Sequence, residues 1–136
     1  MYILIRWRSY YALNIKEIDQ HNRKFVDIVN SLNNLVPTNS LSPEIELALS
    51  DLVEYSFIHF KTEERYYVSC NTSDSFKHID EHRQFAKKIN KYQKVFSKGD
   101  DSFTPELLDF LKHWFRHHIL CSDRKLIQSG CLQNKK

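Results

Sequence analysis

The chain has 136 residues, 41% hydrophobic and 27% charged, which predicts one globular domain (residues 1–136) with a single core and excludes a disordered chain. Its 20 basic and 17 acidic residues leave a net charge of +3 spread along the chain, a balance that argues against a dedicated nucleic-acid binder. The longest apolar run, Tyr2-Ile3-Leu4-Ile5, stops at Arg6, far short of the roughly 18 residues of a membrane span and with no cleavage pattern behind it, so a cytoplasmic protein with no membrane partner is expected.

Two glycines and three prolines leave little room for tight hairpins and favour long helices. An N-terminal extended arm over about residues 1–15 leads into a first helix over 16–36, ended by Pro37. Ser42-Pro43-Glu44 supplies an N-cap, a proline at the first helical position and a first-turn acid, opening a second helix over 43–68. A loop through Cys70 to Asp74 precedes a third helix over 74–97, closed by Gly99-Asp100-Asp101. Thr104-Pro105-Glu106 repeats the cap-proline-acid start, and a fourth helix over 105–128 is followed by Gly130 and a short tail. Each segment carries an apolar stripe at steps of three and four: Ile18, His21, Phe25, Ile28, Leu32 and Leu35 in the first; Ile45, Ala48, Leu52, Tyr55, His59, Glu63 and Tyr66 in the second; His78, His82, Phe85, Ile89, Tyr92 and Phe96 in the third; Leu107, Leu111, Trp114 and His118 in the fourth. Short connections between long helices predict an all-α, up-down-up-down antiparallel four-helix bundle with core enough for a monomer.

Cys70, Cys121 and Cys131 are odd in number and contain no CxxC pair, which argues against a disulfide framework and a cysteine zinc site. The seven histidines are more informative, because five of them lie on the core stripes, where polar groups are costly unless satisfied. His21 is early in the first helix, His59 and Glu63 late in the second, His78 and His82 early in the third, and His118 and Asp123 late in the fourth. In an antiparallel bundle these positions share one end. His59/Glu63 and His78/His82 are (i, i+4) pairs that face the same way. Asp123 lies about 140° round an ideal helix from His118 and has to reach sideways toward a shared point.

Five imidazoles and two carboxylates in one buried layer need a cation. Seven N/O ligands are too many for one tetrahedral metal and suit two six-coordinate ions bridged by carboxylates. The absence of a thiolate in the layer argues against an iron–sulfur cluster, and imidazole-rich N/O ligation suits iron.

The motifs HFKTEE at 59–64, HxxxH at His78 and His82, and WFRHHILCSD at 114–123 resemble those of the hemerythrin family, specifically the bacterial single-domain hemerythrins. Trp7 and the stretch from Asn14 to Asp19 resemble the family's lead-in, so the likeness runs from Trp7 to about residue 128. The resemblance implies a non-haem di-iron centre, two oxo- or hydroxo-bridged iron ions, that reversibly binds O₂. It implies that Glu63 and Asp123 bridge the irons, that His78, His82 and His118 complete the iron with no open position, and that His21 and His59 complete the iron that takes O₂.

One stretch departs from the family pattern. The family's first motif is Ile-Asp-x-Gln-His, whereas here Ile18-Asp19-Gln20-His21-Asn22 is one residue short, so an ungapped alignment sets Asn22 on the histidine position. The stripe through Ile18, Phe25 and Ile28 puts His21 on the core face and Asn22 off it, making His21 the expected ligand. Phe25, Phe60, Tyr67, Trp114, Phe115 and Ile119 are expected to line an apolar oxygen pocket that excludes water. Phe115 and Tyr67 stand where the family tends to have Leu and Met. His113, His117 and Glu64 are expected outside the ligand set.

Reversible O₂ binding for storage, delivery or buffering, without catalysis, is the first expectation. Ferritin-like di-iron enzymes use more glutamates and paired ExxH motifs, which are absent here. A di-iron redox enzyme or a sensor acting on O₂, peroxide or nitric oxide is the alternative.

Overall fold

The computed structural model describes residues 3–35, 43–67, 73–100 and 102–124; within these spans, the side chains of residues 66, 67, 73–75 and 121–123 lie outside the described set. The predicted caps and breakers at Pro37, Ser42 and Gly130, the loop at Cys70 and the tail with Cys131 also fall outside it. The described residues are helical apart from the N-terminal segment and one turn: α1 spans Lys16–Leu35, α2 Pro43–Tyr67, α3 Ser73–Ser97 and α4 Thr104–His117, the last continuing as a π-helical turn over His118–Asp123.

Contacts between consecutive helices run in opposite order along the chain. His21 and Phe25 of α1 meet His59 and Tyr55 of α2 respectively. Phe60 meets Phe85, and Ser50 meets Gln93. Phe85 meets Trp114, and Tyr92 meets Phe103 at the start of α4. The late turns of α2 and α4 therefore come to the early turns of α1 and α3, as the one-layer reading requires.

The core is apolar through its length, with Phe25, Phe85, Leu52, Ile89, Leu107 and Leu111 fully buried. Phe25 stacks on Phe115 at 5.5 Å and meets Trp114 at 5.7 Å and Phe85 at 6.0 Å, which ties α1 to α3 and α4. The predicted stripes of α2 and α3 are buried as drawn over their described side chains, from Ile45 to Glu63 and from His78 to Phe96. In α1 the buried set is Ile18, Asn22, Phe25, Val26, Ile28, Val29 and Leu32. The expectation that Asn22 points away from the core is thus corrected: it is 1% exposed, and His21 is only partly buried. Val26 and Val29 widen the stripe and rotate α1, so that position 22 comes in and position 21 moves to the flank.

Thr104 was expected to cap α4 from outside; instead it is the first helical residue, and Phe103 precedes it with its carbonyl accepting from the Leu107 N–H at 2.9 Å. Between α3 and α4, Gly99 takes φ +86°, a left-handed conformation that favours glycine after a helix end. Asp100 then accepts from the Ser102 N–H and hydroxyl at 2.9 and 2.7 Å.

The N-terminal segment is non-helical apart from a 3-10 turn at Ser9–Tyr11. It packs on the bundle through Ile5, Tyr11, Leu13 and Ile15, all buried. Asn30 of α1 pins it: its Oδ1 accepts from the Leu4 and Ile5 N–H groups at 2.9 Å each, and its Nδ2 donates to the Ile5 carbonyl at 2.8 Å. At the entry to α1, Asn14 adopts φ 62°, and the Asp19 carboxylate takes the Leu13 and Asn14 N–H groups at 2.8 and 3.1 Å. These bonds occupy the Asp19 carboxylate oxygens.

Candidate metal centre

Four residues from three helical segments converge at one end of the bundle. Glu63, His78, His82 and His118 each offer a ligand atom, and these atoms lie within 4.8 Å of one another. All four are buried, as is His59 one turn before Glu63. The Glu63 carboxylate is the hub. Its Oε1 meets Nε2 of His78 directly and lies 3.3 and 3.4 Å from Nε2 of His82 and His118; its Oε2 lies 3.0 Å from Nε2 of His59.

Three of the imidazoles lie flat against aromatic side chains, Tyr55 from the core stripe and Phe60 and Trp114 from the expected pocket lining. Trp114 stacks on His118 at 4.4 Å, Phe60 on His82 at 3.9 Å and Tyr55 on His59 at 5.2 Å, all within 13° of parallel. Trp114 and His118, like Tyr55 and His59, are (i, i+4) pairs, so one helix face supplies both ring and plate.

Carboxylates sit behind two of the imidazoles. The Glu64 Oε2 lies 3.1 Å from His82 Nδ1; a carboxylate only accepts, so this nitrogen donates and the Nε2 lone pair faces the hub. Glu81 Oε2 lies 3.6 Å from His78 Nδ1, and its other oxygen is 3.0 Å from His117 Nε2. Glu64 had been expected to be solvated or paired, and Glu81 had not been singled out. A signal existed in its position, three residues after one candidate ligand and one before the next. Its facing toward His78 and His117 is set by how α3 and α4 pack.

Burial drives the His118 imidazole well below its ordinary pKa, and it drives His21 down too, with His59 adding to the effect. Burial alone would raise the Glu63 carboxyl, but His78, His118 and His59 around it hold it well below the usual carboxylate range. The layer thus favours an ionised Glu63 carboxylate and a neutral His118 imidazole, the protonation states in which these two groups bind metal.

The donor set fits a metal. His82 Nε2, both ring nitrogens of His59 and Glu63 Oε2 are buried with no hydrogen-bond partner. Unpaired buried polar atoms cost about 1–3 kcal/mol each, and lone pairs crowded on one carboxylate repel unless a cation lies among them.

The other expected site residues fall as follows. His21 is not among the four converging residues; its ring stands 5.5 Å from that of His59, edge to face. The side chains of Asp123 and Tyr67 lie outside the described set. The backbone at Asp123 is nonetheless informative, because a π-helical turn bonds i to i+5 and turns less per residue than an α-helix. Position 123 therefore comes closer round the axis to position 118 than an ideal α-helix would carry it. Phe25, Phe60, Phe115 and Ile119 are buried around the layer and Trp114 partly so. A cleft of about 280 Å³ between α2 and α3, lined in part by Val53, Phe57, Phe60, Glu64 and Ala86, reaches His82.

A buried layer of histidines around a carboxylate, inside four helices, defines a helical metal-centre protein. The model of the hemerythrin HHE cation binding domain matches residues 13–128, and the chain belongs to the hemerythrin family. It is 31% identical to a bacteriohemerythrin of Clostridium acetobutylicum over 125 residues, covering 89% of this chain and 97% of that one. It is 26% identical to a bacteriohemerythrin of Stenotrophomonas maltophilia over 121 residues, 89% of this chain and 78% of the relative. A hemerythrin-like protein of Naegleria gruberi is 29% identical over 119 residues, 88% and 87% of the two chains. Among the described residues no helix is long and apolar enough to cross a membrane.

Proposed function

We propose that this chain binds O₂ reversibly at a non-haem di-iron centre and serves in oxygen storage, delivery or buffering rather than catalysis. The observation that carries the reading is the buried Glu63 carboxylate with imidazole Nε2 atoms gathered on both of its oxygens. Glu63, His78, His82 and His118 would hold one ion. His59, Glu63, Asp123 and a residue of the first helix, His21 or Asn22, would hold the other. Ferrous iron with an open position supplies O₂ binding. The protein's part is to hold the imidazoles in place through Glu64, Glu81 and the stacked aromatics, and to keep water away with Phe25, Phe60, Trp114 and Ile119. Membership of the hemerythrin family and the similarity to bacteriohemerythrins support the same reading.

The test is iron per chain and the visible spectrum through repeated cycles of oxygenation and deoxygenation. Two irons and a spectrum that returns each cycle are expected. Failure to retain iron, or irreversible oxidation in the first cycle, would overturn the reading.

A further inference from the structure

The first helix brings His21 beside His59, their ring centroids 5.5 Å apart and the His21 Nδ1 buried without a hydrogen-bond partner, but adds no histidine to the four converging ligand residues. Asn22 is the residue of that turn that enters the core, at 1% exposure, and His21 lies on the partly exposed flank. Asn22 belongs to the His59 side: the Tyr55 hydroxyl donates to Asn22 Oδ1 at 3.3 Å, and the same Tyr55 ring stacks on His59. The Asn22 Nδ2 group is buried with no hydrogen-bond partner.

A carboxamide replaces an imidazole poorly as a ligand. The lone pair of its nitrogen is delocalised into the carbonyl, so the NH₂ group is only a donor. Its oxygen is a hard, neutral acceptor, and here it already accepts from Tyr55. The other side of the layer has no such shortage, since Glu63, His78, His82 and His118 bring four ligand atoms within 4.8 Å of one another. His59 stands apart from that group, its ring 6.0 Å from that of His118 and its Nε2 on the opposite carboxylate oxygen of Glu63.

We propose that the two halves of this centre hold metal unequally: the Glu63–His78–His82–His118 half binds its ion tightly, and the His59 half binds an exchangeable one because the first helix fills its core position on that side with Asn22 rather than an imidazole. The inference rests on the two-metal reading above. Loss of one protein ligand makes the second ion leave about 10- to 100-fold faster than the first, taking the effect of altering a ligand's support as the lower guide.

The experiment loads the whole chain with Fe²⁺ anaerobically, adds a chromogenic ferrous chelator and follows iron released per chain with time. The wild-type chain should release one ion in a fast phase and one in a slow phase. Asn22→His should convert the fast phase to a slow one. Asn22→Asp should slow it as well, by offering a charged oxygen. Helix content by circular dichroism identifies any variant that has not folded, and the remaining variants and the wild-type phases still decide. Two ions leaving the wild-type chain at one rate would overturn the inequality and leave the two-metal reading standing. Loss of the fast ion in His21→Ala, with Asn22→His behaving as wild type, would overturn the role of Asn22. If neither the wild-type chain nor Asn22→His binds more than one ion, the two-metal reading itself fails and this inference goes with it.

Discussion

Replacing His59 by leucine should leave the metal-free chain about as stable as wild type and destabilise the metal-loaded one. His59 is fully buried, and neither of its ring nitrogens has a hydrogen-bond partner. Two unpaired buried polar atoms cost about 2–6 kcal/mol together, and leucine removes both. Against this stands the 3.0 Å approach of His59 Nε2 to Glu63 Oε2, worth about 1–3 kcal/mol as an interaction with a charged group. The stack on Tyr55 and the edge contact with Phe60 add about 0.5–1.5 kcal/mol each. Central values, about 4 kcal/mol relieved against about 4 lost, leave the metal-free chain within about 1 kcal/mol of wild type. Urea unfolding in excess chelator should therefore show a midpoint within about 0.5 M of wild type, for a slope of about 2 kcal/mol/M. With ferrous ion present the variant falls behind, since an ion at 100 times its dissociation constant stabilises the wild-type fold by about 2.7 kcal/mol, and the variant loses the His59 share of that linkage. A His59→Leu chain less stable than wild type in chelator by about 2 kcal/mol or more, as for an ordinary core truncation, would refute the idea that the polar layer is a cost borne for metal.

Phe25 is fully buried against four aromatic rings, so Phe25→Ala should lose about 3–5 kcal/mol in urea unfolding, and Phe25→Leu clearly less. Asn30→Ala removes three hydrogen bonds to the N-terminal segment and should cost about 1.5–4 kcal/mol, with amide exchange at Leu4 and Ile5 accelerating more than exchange in α3. Glu64→Ala frees the His82 ring from its donor–acceptor contact and should speed loss of the tightly held iron about 10- to 100-fold in a chelator assay; Glu64→Gln, whose amide oxygen still accepts, should recover part of it.

The residues of the metal layer were legible because their spacing is local. Positions four apart on one helix share a face whatever the helix packs against, so His59 with Glu63 and His78 with His82 paired before any tertiary contact was known. Two of the four helix starts, at Pro43 and Thr104, were readable from a cap residue and a proline for the same reason, although Thr104 lies one residue inside its helix rather than before it. The alternation of long helices and short connections then brought the two pairs and His118 to one end.

What spacing left open was the rotation of each helix about its own axis. His21 and Asn22 both border the stripe of α1, 100° apart, and a sequence pattern through Ile18, Phe25 and Ile28 favoured the histidine. The burial of Val26 and Val29 turns the helix so that the asparagine enters. The outer carboxylates Glu64 and Glu81, and the plates Tyr55, Phe60 and Trp114, likewise depend on how far one helix is turned toward the next. The π-helical turn at His118–Asp123 changes the turn per residue itself, bringing position 123 closer round the axis to 118 than the regular helix assumed from sequence would. Sequence by itself determined which residues share a helix face, because that follows from backbone geometry within a few residues. Which of two neighbouring faces enters the core was decided only by the tertiary structure, because it is the packing of the whole apolar stripe that sets the angle of the helix.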